Sequence, residues 1–174
     1  MHTYVAFLRG INVGGRVVRM VELKACFEKL GYADVVTLLQ SGNVRFEAAD
    51  TDSTKLKQEI EASLTKTFHY PARVQVLPLE KLHAVVAAYP FGTASDSQHD
   101  YVIFLENGLE GSLVGEAYAM APGEQLKVGD GVVYWRVDKG STLQSAFAKL
   151  LTKAKYKEFN TNRNLRTVRK LLDS

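Results

Sequence analysis

Twice along the chain one succession of patterns recurs: a short apolar run, a helical stripe, two further strand-like runs, a second helix and a closing strand. In the first half the strands fall at residues 4–8, 35–39, 44–47 and 73–77. The helices fall at 20–30 and 54–67, with Met20, Leu23, Cys26, Phe27 and Leu30 on one stripe and Leu56, Ile60 and Leu64 on the other. A further helix over 79–89 stops at Pro90, because proline removes a donor and clashes with the preceding turn. The second half gives strands at 100–106, 125–128, 132–137 and 156–159, helices at 109–120 and 143–151, and a terminal helix over 163–172. That order is the split βαβ pattern. The expected fold is α+β: two ferredoxin-like (βαββαβ plait) subdomains in tandem, 1–92 and 99–174, each followed by an extra helix.

Composition agrees with a folded chain. Apolar residues make up 46% and charged residues 24% of the 174, the balance of a globular protein. The single cysteine, Cys26, excludes an internal disulfide and a multi-cysteine zinc site. It lies on an apolar helix stripe and reads as core. Residues 1–8 lack a basic leader with a long apolar run, and no stretch nears the ~18 apolar residues of a membrane span. A cytoplasmic protein without membrane association, monomeric or homodimeric, is expected.

In the plait, the loop after the first strand and the hairpin between the second and third strands lie at one end of the sheet. The first reads Arg9-Gly10-Ile11-Asn12-Val13-Gly14-Gly15-Arg16 and the second Gln40-Ser41-Gly42-Asn43. Each has a purely local explanation, since glycine, asparagine and serine are what tight turns demand. Each also suits a binding rim. Backbone N–H groups at Gly14 and Gly15 can hold an anion, Arg9 or Arg16 supplies charge, and Asn12, Gln40, Ser41 and Asn43 orient polar atoms. The loop lacks both the P-loop ending and the dinucleotide fingerprint.

A third polar segment, Thr161-Asn162-Arg163-Asn164, precedes the terminal helix. There Asn can cap, and Arg163 can grip a phosphate or carboxylate with two parallel bonds. The four histidines are scattered, so no metal is expected, and no motif calls for a cofactor or a catalytic nucleophile. Tyr4, Phe7, Tyr101 and Phe104 read as core. Net charge is +3 overall, but residues 139–174 hold nine Lys/Arg against Glu158 and Asp173, a local +7. That stretch can attract nucleic acid or stand as a solvated face.

Three segments together, residues 4–15, 40–44 and 161–171, resemble the bacterial family catalogued as domain of unknown function 1697. The resemblance spans essentially the whole chain and implies two α+β subdomains; it implies no reaction. Two positions depart from the family pattern: Leu165 stands where a tryptophan is usual, and Thr142 where a lysine is common. The leading expectation is capture of a small anionic molecule by Arg9, Asn12, Gly14, Gly15, Gln40, Ser41, Asn43, Arg163 and Asn164. RNA binding through the basic C-terminal region is one alternative; a ligand-free interaction module is the other.

Overall fold

A computed structural model describes residues 1–11, 14–38 and 42–174. Its strands form two four-stranded antiparallel sheets, and seven helices accompany them among the described residues. The chain divides into two compact units, residues 1–83 with 170–174, and residues 84–169. The sequence pattern puts the boundary across 92–98 instead. It follows composition there, whereas the division runs through two helices, at 83/84 and 169/170.

In the first unit β1 (His2–Arg9) leads to α1 (Met20–Lys29), then β2 (Ala33–Leu38), β3 (Asn43–Ala48), α2 (Ser53–Phe68) and β4 (Arg73–Pro78). The sheet order is β2-β3-β1-β4. Tyr4, Ala6 and Leu8 alternate onto the face that packs with Leu23, Phe27, Leu56, Ile60 and Leu64 of the helices. The opposite face is buried at Val5 and Phe7. Asp52 caps α2, its carboxylate accepting from the Thr54 N–H at 2.9 Å. Cys26 is buried against α2, with Sγ 3.0 Å from Ser63 Oγ. α3 (Leu79–Ala87) follows.

The second unit repeats the order. β5 (Gln98–Leu105), α4 (Glu110–Met120), β6 (Gln125–Val128) and β7 (Val132–Asp138) precede α5 (Ala146–Leu151), α6 (Ala154–Lys157) and β8 (Asn160–Asn164). Its sheet runs β6-β7-β5-β8. Trp135, Phe147, Leu113 and Tyr156 form the centre of its core. Arg136 on β7 faces its register partner Asp100 on β5. Nε and Nη2 of Arg136 donate to the two carboxylate oxygens at 2.7 and 3.1 Å, and Nη1 and Nη2 also reach the carbonyls of Phe91 and Gly92. Burial alone would raise the Asp100 carboxyl; the Arg136 fork overrides it and holds the group below the ordinary value.

One expected element is displaced. The last strand is not 156–159: Tyr156 lies on the short α6, fully buried, its hydroxyl donating to Glu116. The strand is 160–164, followed by α7 (Leu165–Asp173). Its sequence, Asn-Thr-Asn-Arg-Asn, has no apolar alternation because it is an edge strand held by polar bonds. Asn160, for example, donates Nδ2 to the carbonyls of Leu151 and Tyr156.

Candidate functional site

β1 and β3 are antiparallel, with Phe7 opposite Asn43, so the chain leaving β1 passes directly beside the chain entering β3. The Leu8 N–H donates to the Gly42 carbonyl at 2.8 Å. A Cβ on Gly42 would lie 2.8 Å from Leu8 Cβ and 3.0 Å from Ile11 Cδ1, so Gly42 is packed closely against Leu8 and Ile11. Gly42 has φ +75°, a conformation that a side chain resists. Expected site residues Asn12, Gln40 and Ser41 lie outside the described residues.

The loop is fastened at its far end by Arg16. Its Nη1 donates to the Gly10 carbonyl at 3.1 Å, and its guanidinium stacks 4.3 Å above the Tyr70 ring. Burial pushes the Tyr70 hydroxyl up in pKa, with the Arg16 charge working against it. Gly14 and Gly15 are exposed between these anchors, both with positive φ. Arg9 closes β1 at the mouth of the loop, half-buried, and its register partner on β4 is Arg73. Both belong to the face opposite Leu8 and Val74, the face that also carries Arg45. Arg73 was invisible as a site residue in the sequence, because only the β1–β4 register brings it to Arg9.

Asn43 is fully buried and donates Nδ2 to the Leu38 carbonyl at 3.1 Å, bracing the base of the hairpin. Arg163 and Asn164 belong to the second unit and lie on β8, not on a pre-helical loop. Arg163 is buried and donates Nη1 to Thr161 Oγ1 and to the Asn162 carbonyl, both at 2.9 Å. Asn164 accepts from the Arg166 N–H at 2.9 Å and so caps the start of α7.

The second unit offers an internal comparison. There the Leu105 N–H donates to the Gly131 carbonyl at 2.9 Å, the counterpart of the Leu8–Gly42 bond. Yet β5 reaches α4 through residues 106–109, whereas β1 reaches α1 through 10–19. One topological step takes four residues in one unit and ten in the other. Among the described residues no three His, Cys, Asp or Glu gather as a metal site, and no helix is long and apolar enough to cross a membrane.

No curated protein matches the chain. Among solved structures it is similar to the conserved bacterial protein SP0830 from Streptococcus pneumoniae. The two are 26% identical with a TM-score of 0.78 over 99% of this chain and 97% of that one. The family described as "Protein of unknown function (DUF1697)" matches residues 1–134. With that match running from β1 into the first residues of β7, the chain belongs to the DUF1697 family.

Proposed function

We propose that the first unit binds a small phosphate- or carboxylate-bearing molecule at the rim made by the 9–16 loop and the 40–43 hairpin. The difference between the two strand-to-helix connections carries this reading. Connections of this kind usually need two to six residues. The four-residue version in the second unit meets that need, so the longer glycine-rich version does something besides turning the chain.

Arg9 and Arg73 supply the charge, as guanidinium groups grip oxyanions through paired N–H donors. Gly14 and Gly15 offer peptide N–H groups free of side-chain bulk. Asn12, Gln40 and Ser41 are assigned the polar contacts, and Asn43 braces the base of the hairpin through the Leu38 carbonyl. Arg163 and Asn164 are engaged within their own unit and are left out of this reading. Lys155 is likewise tied to Glu116 at 2.8 Å, which leaves the C-terminal cations less to offer an RNA. The strand orders β2-β3-β1-β4 and β6-β7-β5-β8 support reading each unit as a ferredoxin-like plait. The reading includes a cytoplasmic setting, in keeping with the buried lone thiol.

Thermal unfolding in inorganic phosphate against chloride of equal ionic strength tests it. A ligand at 100 times its Kd stabilises by about 2.7 kcal/mol. At roughly 2–4 °C per kcal/mol for a chain of this size, Tm should rise by several degrees. The double variant Arg9→Gln/Arg73→Gln should lose that rise. An equal Tm in both salts, or a rise that survives the double variant, refutes the proposal.

A further inference from the structure

The second unit contains a cleft of about 490 Å³ built wholly from its own residues. That is within the ~300–1,000 Å³ in which proteins hold small molecules. Its lining includes Gln98, Glu124, Gln125, Asp138, Ser141 and Gln144.

The frame around it is fixed. Arg136, one of its lining residues, is locked by Asp100 and by the carbonyls of Phe91 and Gly92. Glu124 sits between two donors, the Trp135 indole N–H and the Phe147 N–H, each at 3.4 Å. Ser145 caps α5 by accepting from the Ala148 N–H at 3.0 Å. The Ser141 carbonyl accepts from the N–H groups of Gln144 and Ser145, so the turn that carries the polar side chains is itself bonded.

Against this frame stands a set of uncommitted groups. Among the described residues the side chains of Gln125, Asp138, Ser141 and Gln144 make no hydrogen bond, and Gln98 uses only its amide oxygen, toward Ser95. Amides and a hydroxyl both donate and accept, which is what a ligand hydroxyl requires. The charge of Arg136 is answered by Asp100, so the carboxylates of Glu124 and Asp138 leave the lining negative. An anion is disfavoured there and an ammonium group favoured.

We infer that this cleft binds a small polyhydroxylated molecule bearing an amine, of the amino-sugar class. The ammonium faces Asp138, and the hydroxyls face Gln98, Gln125, Ser141 and Gln144. The inference is independent of the anion rim, which belongs to the other unit and calls for the opposite charge.

Calorimetric titration of the full chain with glucosamine, glucose and the linear polyamine spermidine tests it. Glucosamine should bind, and both glucose, lacking the amine, and spermidine, lacking the hydroxyls, should bind about tenfold more weakly or less. Asp138→Asn should weaken glucosamine by about ten- to a hundredfold and leave glucose unchanged. Gln144→Ala should weaken both sugars. Both replaced side chains are exposed, so the Tm without ligand should not move. Absence of glucosamine binding at millimolar concentration overturns the inference. So does binding that neither variant alters, or equal affinity for glucose or spermidine.

Discussion

Replacing Gly42 by alanine tests how tightly the two connections of the first unit are joined. Two costs fall on one atom. Holding a non-glycine residue at φ +75° costs about 1–2 kcal/mol. The new methyl would also lie 2.8 Å from Leu8 Cβ and 3.0 Å from Ile11 Cδ1, and both neighbours are buried. Forcing a methyl into such a place costs about 1–3 kcal/mol. The two together give roughly 2–5 kcal/mol. Gly10 is the control: its φ is +61°, but nothing lies within 4 Å of its Cβ position, so Gly10→Ala carries the conformational cost alone. Urea unfolding of both variants, followed by circular dichroism, gives the difference directly. Gly42→Ala should be the less stable by about 1–3 kcal/mol. It should also lose the stabilisation by phosphate, because relieving the clash pulls the Gly42 carbonyl from the Leu8 N–H. Equal costs at the two glycines would refute the reasoning.

Asp100→Asn strands the Arg136 guanidinium in a largely buried position, and equilibrium unfolding at neutral pH should show a loss of about 3–5 kcal/mol. Because the folded Asp100 carboxyl sits below its unfolded value near 4, its contribution is complete above pH ~4 and fades as pH falls through the lower folded value. Unfolding curves from pH 5 to 2 should therefore fall more steeply for the parent than for the variant. Asp52→Ala removes the side-chain cap of α2 and should cost about 1 kcal/mol in the same denaturation assay.

Most of the fold was legible because most elements announce themselves by period. Val44, Phe46 and Ala48 alternate onto one face of β3, and Leu56, Ile60 and Leu64 recur at helical spacing along α2. β8 announces nothing: its polar residues fit the strand through side-chain bonds such as those of Asn160, and period carries no trace of them. That Gly42 lies beside Leu8 and Ile11 followed from topology alone. Arg73 did not, because it depends on the β1–β4 register, which no local pattern records. The cleft of the second unit was equally hidden. Gln98, Glu124, Asp138 and Gln144 come from four separate segments, and none belongs to a recognisable motif.

The burial of Cys26 and Trp135 has a practical consequence. Each is the sole residue of its type in the chain, and each is sealed in the core of a different unit. Cys26 becomes accessible to a thiol reagent only when α1 parts from α2, so its labelling rate times the opening of the first unit. Trp135 emission follows the second. The native chain thus carries one intrinsic reporter per unit, and comparing the two signals along a single denaturation distinguishes joint from stepwise unfolding without any added label.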